Sequence, residues 1–263
     1  MMRCTRPIND GNGRRVPCGR CLSCKINRGQ EWRDRLLHEL EGWKEATFLT
    51  LTYEPSVYPK NGSLDKSELQ RFFKRYRKYK KEYKIRYYAV GEYGDVSKRA
   101  HYHAIVFGGS RKDDIERIWG LGNVFIGSVT KDSIAYVTDY ITKKLYGPKS
   151  KEVYGDRLPP FALMSKGMGK SWMELNVDFL AKNGGLRRQG RVYNMPRYYM
   201  KKLGDLFTDD FKNQKVLERS AERLEREAML GMSPRDILSK DVAERRQIEA
   251  DQAFWEAVKL SKL

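Results

Sequence analysis

A chain of 263 residues has room for one large domain, or a core with an elaboration, and not for several. Hydrophobic residues make up 40% and charged residues 33%, so a packed core is feasible and wholesale disorder is not expected. Lysine and arginine outnumber aspartate and glutamate 52 to 34, a net +18, which argues against an ordinary metabolic enzyme and for a polyanionic partner such as nucleic acid.

No apolar run approaches the roughly 20 residues of a membrane span. The start, Met1 to Pro7, carries no apolar signal core. Neither membrane insertion nor export is expected. The charge is uneven: residues 1–204 hold 41 basic and 21 acidic side chains, residues 205–263 hold 11 and 13. All 16 tyrosines also lie in the basic part, the pairing of cations and rings that suits single-stranded nucleic acid.

In chain order, the first segment, Cys4 to Cys24, shows no periodicity but holds all four cysteines. Cys18, Cys21 and Cys24 are spaced by three, and Cys4 can fold back to complete a tetrahedral set, a structural zinc site. Reduced thiols and disulfides are the alternatives, and His38 is a weaker substitute for Cys4. Asn27–Trp43 reads as a helix with Trp32, Leu36, Leu40 and Trp43 on one stripe. Thr47–Tyr53 reads as a strand halted by Pro55. Residues 66–86 hold ten basic and two acidic side chains. Their stripe of Leu69, Phe72, Phe73, Tyr76 and Tyr79 predicts an amphipathic helix with a cationic outer face.

Ile85–Glu92 and His101–Phe107 read as an antiparallel hairpin around a polar turn. A short helix (Lys112–Trp119), a strand (Val124–Val129) and a helix (Ser133–Leu145) follow. The order predicts an α+β fold, a central antiparallel sheet with helices covering one side. Beyond Tyr154 the pattern weakens into Pro/Gly-rich connections, with a basic run at 182–202. Asp209–Leu230 and Ser233–Leu260 read as charged helices. The domains expected are a cysteine-rich segment with its helix (1–44), a core (45–150), a basic DNA-binding extension (151–204) and a helical region (205–263).

Two elements carry chemistry. His101 and His103 stand two apart on one strand, so both rings leave the same face. Glu92, across the hairpin, can bring a carboxylate beside them, with Asp95 as a second choice. Two imidazoles and a carboxylate suit a divalent ion with positions left open for substrate oxygens. On the later helix Tyr136 and Tyr140 are four apart, one turn from each other, with Lys143 and Lys144 continuing that face. The alternative for this pair is plain packing of a helix on the sheet. Gly167-Met168-Gly169-Lys170-Ser171 ends like a phosphate-binding loop, but Met164 stands where that motif needs glycine and no convincing strand precedes it.

Taken together, Gly91-Glu92, His101-Tyr102-His103 and Tyr136-x-x-x-Tyr140-x-x-Lys143-Lys144, after the strand Phe48-Leu49-Thr50-Leu51-Thr52-Tyr53, resemble the motifs of HUH endonucleases. The set is most similar to the replication initiation proteins of microviruses, gokushovirus-like ones especially, over residues 1–204. Tyr102 is more polar than the hydrophobe usual between the histidines.

The resemblance implies a ferredoxin- or RRM-like core. Its activity would be rolling-circle initiation, nicking and rejoining single-stranded or locally melted viral origin DNA through a 5′-phosphotyrosyl intermediate. It implies Mg²⁺ or Mn²⁺ on Glu92, His101 and His103, with Tyr136 and Tyr140 as nucleophiles aided by Lys143 or Lys144. A host helicase would be the partner and the host bacterial cytoplasm the setting. Tyr140, nearer the lysines, is the first choice for the initial attack. Tyr87, Tyr88, Tyr198 and Tyr199 are candidate stacking platforms. Other HUH enzymes (plasmid initiators, relaxases, transposases) and a noncatalytic zinc-stabilised DNA-binding protein remain as alternatives.

Overall fold

The computed structural model describes residues 2–204 except 82, 111–112, 144, 146–147 and 189–190, and isolated positions between 214 and 236. Lys144 and the helices expected over 209–260 lie outside the described residues, apart from those isolated positions.

The elements run β1 (Ile8–Asn9), β2 (Arg15–Val16), α1 (Leu22–Leu40), β3 (Ala46–Thr52), α2 (Lys66–Lys80), β4 (Arg86–Tyr93), β5 (Ala100–Phe107), α3 (Ile115–Trp119), β6 (Val124–Ser128), α4 (Lys131–Lys143), α5 (Pro148–Tyr154), β7 (Phe161–Met164), α6 (Lys170–Leu175), α7 (Val177–Asn183), β8 (Leu186–Arg188), β9 (Arg191–Tyr193) and α8 (Arg197–Lys202). They form two compact units, one spanning Trp32–Trp172, the other joining Met1–Glu31 to the chain from Met173. No described helix is long and apolar enough to cross a membrane.

The larger unit is built on a five-stranded antiparallel sheet in the order β6-β3-β5-β4-β7. Helices cover both faces, not one. Leu69, Phe72, Phe73 and Tyr76 of α2 and Ile115, Ile118 and Trp119 of α3 pack with Leu49, Leu51, Tyr102, Ala104 and Val106. On the other face Leu36 of α1 and Ile134, Val137 and Tyr140 of α4 pack with Tyr88, Val90, Ile105 and Phe107. The reason is visible in β5, where Ala104-Ile105-Val106-Phe107 is apolar on both faces and buried throughout. A strand of that kind needs cover on each side.

Three helix starts differ from the periodic reading, and one is α3, which begins at Ile115, after its cap Asp114, in place of Lys112. The first turns of α1, from Leu22, present cysteines in place of the apolar stripe, so periodicity alone places its start at Asn27. For α4, the Ser133 amide donates to Thr130 Oγ1 (3.1 Å) and the Thr130 amide to Ser133 Oγ (2.8 Å), a reciprocal cap that begins the helix at Lys131. Strand β7 overturns the reading of 161–164 as a connection. It pairs with β4, with Phe161 opposite Gly91. A Cβ on Gly91 would lie 3.0 Å from the Phe161 ring and 3.2 Å from Leu64, so the bare backbone lets the edge strand close.

The loop after β7 is structural. The Gly169 amide donates to the buried Glu39 carboxylate (2.6 Å), Arg35 Nε to Met168 O (3.0 Å) and an Arg86 guanidinium nitrogen to Lys166 O (2.7 Å). The amide that a phosphate would need is held by a protein carboxylate. His38 stacks on Trp172 with centroids 3.5 Å apart. Tyr88 and Tyr199 are fully buried, so neither is a stacking platform; Tyr87 lies flat on Phe73 at 3.5 Å.

Tyr102 has a specific task. Its hydroxyl donates to Asp65 O (2.9 Å) and accepts from the Asp65 amide (2.8 Å), while Asp65 caps α2 by accepting from the Ser67 and Glu68 amides. Asp65→Ala leaves two helix amides without that acceptor and is expected to lower stability by about 1 kcal/mol in urea titrations. Asp65→Asn should lose much less.

Candidate active site

Strand register assembles the site. In the sheet Glu92 of β4 stands directly opposite His101 of β5, and Thr50 of β3 opposite His103. Cross-strand partners share a face, so carboxylate, hydroxyl and both rings project to the side covered by α4. His101 Nε2 lies 2.8 Å and His103 Nε2 3.3 Å from Glu92 Oε1. The three ligand atoms fall within 4.8 Å of one another, a set able to hold a metal ion.

The far side of each ring is also occupied. Thr50 Oγ1 is 3.0 Å from His103 Nδ1, and Arg99 O is 3.0 Å from His101 Nδ1. A carbonyl at Nδ1 holds the proton there and leaves Nε2 free to ligate, the usual outer partner of a metal-binding histidine. The donor set fits a divalent ion with open positions.

Electrostatics agree with a preformed anionic site. Burial works against charge on Glu92, but hydrogen bonds from His101, His103 and Tyr140 overcome it and lower its carboxyl from 4.5 to about 2. Burial also disfavours a charged His101, yet the Glu92 carboxylate and the Arg99 carbonyl overcome this and raise its pKa above the ordinary 6.5. His103 moves down, through burial and the neighbouring charges of His101 and Lys143, against the pull of Glu92.

Helix α4 lays the tyrosines over this cluster. Tyr140 is 9% exposed and donates to Tyr136 Oη at 2.5 Å. Tyr136 is 47% exposed, and its hydroxyl lies 3.3 Å from His103 Nε2. The two phenols are therefore unequal. Burial, then Glu92 and Tyr136, raise the Tyr140 phenol well above 10. Lys143 Nζ sits 5.0 Å from the centre of the Tyr140 ring and pairs with Asp95 at 3.1 Å. Asp95 thus faces Lys143 and is not among the three grouped ligands. Thr50 and Arg99 were not legible as participants from composition. Thr50 is one of three threonines in β3 and carries no signal of its own; it becomes meaningful once β3 is known to pair with β5.

In the smaller unit the hairpin β1–β2 turns the chain back so that Cys4 meets the other thiols. All four sulfurs lie within 4.8 Å of one another, with Cys4 and Cys21 3.8 Å apart. Backbone amides point inward: Cys18 N–H to Cys4 Sγ (3.3 Å), and Arg20 and Cys21 N–H to Cys18 Sγ (3.4 and 3.3 Å). Burial raises Cys21, but hydrogen bonds at Cys24 and Thr5 overcome it and bring the thiol to about 6, while burial and its neighbours push Cys24 up. A four-sulfur shell with amide donors is closed on all sides and can hold a metal ion.

Comparison with known proteins points the same way. Residues 46–145, from β3 through α4 and so the whole of this site, match the family described as Replication-associated protein ORF2. The chain is 32% identical to Replication-associated protein VP4 of Bdellovibrio phage phiMH2K, over 70% of its own length and 65% of that protein's. It is 29% identical to Replication-associated protein ORF2 of Spiroplasma virus 4, over 81% and 76% of the two chains. Against Replication-associated protein ORF4 of Chlamydia phage 1 it is 26% identical, over 74% and 55%. Over these spans the chain is similar to replication-associated proteins of phages. It spans less than two thirds of the first of these relatives and about half of the third. No solved structure matches it.

Thr50→Val keeps the shape of the side chain and removes the hydroxyl at His103 Nδ1. Mn²⁺ affinity, measured by calorimetry, is expected to fall roughly 10- to 100-fold. A proton on His101 blocks ligation. Mn²⁺ affinity should therefore drop as pH falls, and the drop should begin at a pH above the ordinary imidazole value because His101 is raised.

Proposed function

We propose that this Rep-like protein is a two-tyrosine HUH endonuclease, a rolling-circle initiator of microvirus type that nicks and rejoins single-stranded origin DNA. The observation that carries the reading is the half-exposed Tyr136 hydroxyl, 3.3 Å from a nitrogen of the metal-ligand cluster, with a second phenol in hydrogen-bond contact. Glu92, His101 and His103 would hold Mg²⁺ or Mn²⁺, which supplies Lewis acidity to the scissile phosphate and charge stabilisation to its nonbridging oxygens.

The chain's own groups do the rest. Tyr136 Oη attacks phosphorus in line; the bond from phosphorus to the tyrosine oxygen forms as the bond to the 3′-oxygen breaks. The phenolic proton ends on the departing 3′-hydroxyl, so protons and charge balance. Exposure favours Tyr136 for this first attack, in place of the Tyr140 expected from lysine proximity. A buried phenol with a raised pKa is the poorer entering group. Lys143, on leaving Asp95, is close enough to neutralise charge on the reacting phosphate.

Tyr140 is held one turn away for the second cut, once Tyr136 carries the first 5′ end. The released 3′-hydroxyl then attacks that phosphotyrosine and closes the strand without ATP, because the ester conserves the bond. A host helicase would open the duplex in the host bacterial cytoplasm, since the glycine-rich loop after β7 is engaged by Glu39. The four cysteines would hold a structural zinc ion that fixes the start of α1.

Incubation with a single-stranded origin oligonucleotide and Mn²⁺ should give an SDS-resistant adduct. Tyr136→Phe is expected to reduce its initial rate at least about 100-fold, roughly 3 kcal/mol in the barrier, and Tyr140→Phe to affect joining more than first cleavage. The double variant should form none while still binding DNA. Adducts from the double variant would mean that neither phenol is the nucleophile. For the cysteines, purified protein should carry about one zinc per chain by elemental analysis, and Cys18→Ser with Cys21→Ser should abolish it.

A further inference from the structure

Helix α2 turns an unusually uniform face to solvent. Leu69, Phe72, Phe73 and Tyr76 are buried against the sheet, on the side opposite His101 and His103. Lys66, Arg71, Lys74, Arg77, Lys78 and Lys81 are all exposed, with Arg71, Lys74 and Lys78 opposite the buried stripe at 100° per residue, and the acidic Glu68 is half-buried at its flank. Lys66, Lys74, Lys78 and Lys81 make no ion pair or side-chain hydrogen bond among the described residues, whereas Lys80, at the edge, is held by Asp113 at 3.2 Å. Like charges three and four apart repel and destabilise a helix. Here the apolar face stabilises it regardless, leaving the cations unneutralised.

Beside this row is a cleft of about 240 Å³ between α2 and the end of α3, lined by Arg71, Arg75 and Arg117 with Glu68, Trp119 and Gly120. Arg75 is fixed by donating to Ile118 O (2.8 Å) and Trp119 O (2.9 Å). Arg71 reaches only the half-buried cap Asp65, at a loose 3.8 Å, and Arg117 the exposed Asp114, pairs that exchange readily for another anion. Glu68, the one carboxylate lining the cleft, is hydrogen-bonded to the Tyr53 hydroxyl.

We propose that this face is a second nucleic-acid surface, one that docks the phosphate backbone of duplex DNA, with a phosphate seated in the arginine cleft. The 15-residue helix is about 22 Å long, matching the rise of roughly six base pairs. Phe72, Phe73 and Tyr76 are buried beneath the cations, and Tyr79, exposed at the edge of the row, has its hydroxyl tied to the Asp114 amide. A rigid row of cations with one tethered ring at its edge suits a duplex backbone better than an unpaired strand. The surface would hold the flanking duplex while the melted strand lies at the tyrosines on the opposite face. The inference rests on the reading of the chain as a DNA-processing protein but is tested separately from cleavage.

The test is fluorescence anisotropy with a blunt duplex of arbitrary sequence, over a series of salt concentrations, using the full chain. Lys74→Glu with Lys78→Glu should weaken duplex binding at least about tenfold at low salt and reduce the log–log salt slope by about 2, near 0.9 for each phosphate no longer neutralised. Lys74→Arg with Lys78→Arg should bind as the parent does, and adduct formation on a single-stranded oligonucleotide should be unchanged in both. Unchanged duplex affinity and slope in the charge-reversed variant would overturn the proposal. So would loss of adduct yield with duplex binding intact, which would assign α2 to the cut strand. A parent protein that makes no adduct but shows the duplex effect would sink the nuclease reading and leave this surface standing.

Discussion

The site depends on how β5 is registered between its two neighbours. Glu92 meets His101 only because the β4–β5 pairing sets them opposite, and Thr50 meets His103 only because β3 pairs with β5 at the matching position. Side chains alternate with period two. A slip of one residue on either side would send Glu92 or Thr50 to the opposite face, among Tyr102, Ala104 and Val106. Such a slip would place a carboxylate in the larger apolar cluster, where an unpaired charge costs several kcal/mol. The chemistry and the correct pairing are therefore enforced by the same alternation of polar and apolar positions.

That arrangement is poor for stability taken alone. A carboxylate 5% exposed, ringed by two imidazoles and a phenol, gives up hydration that only close hydrogen bonding returns. The compensation is visible atom by atom. Glu92 Oε1 lies against Nε2 of both rings, Arg99 O and Thr50 Oγ1 occupy the far nitrogens, and the tyrosine hydroxyls close the remaining side. A fully satisfied cluster of this kind is rigid, and rigidity is what convergent donors for a small cation require. The exposed Tyr136 is the exception.

Much of this was legible beforehand, for identifiable reasons. His101 and His103 on one face, and Glu92 across a hairpin, follow from period two and one turn. Tyr136 and Tyr140 on one helical face follow from a spacing of four. What escaped depends on pairings that a single sequence does not encode locally. Strand β7 has four residues after two prolines and exists because Gly91 allows Phe161 to lie against β4. The cover of both sheet faces follows from the burial of consecutive residues in β5, not from the order of elements. The difference between the two phenols, one sealed and one open, belongs to how α4 lies on the sheet, and the lysine spacing that favours Tyr140 along the helix carries no information on exposure.

Strand β5 also explains the tyrosine between the histidines. Its two faces carry separate duties: His101 and His103 toward α4, and Tyr102 toward α2, where its hydroxyl bonds both backbone groups of Asp65. A plain hydrophobe at 102 would fill the same volume yet leave the start of α2 without that tie. The polar residue fixes the cationic helix to the very strand that bears His101 and His103. Whatever binds along α2 is thereby held at a set orientation to the phenols on the other side of one sheet. A backbone rigid through five antiparallel strands transmits that orientation without any moving part.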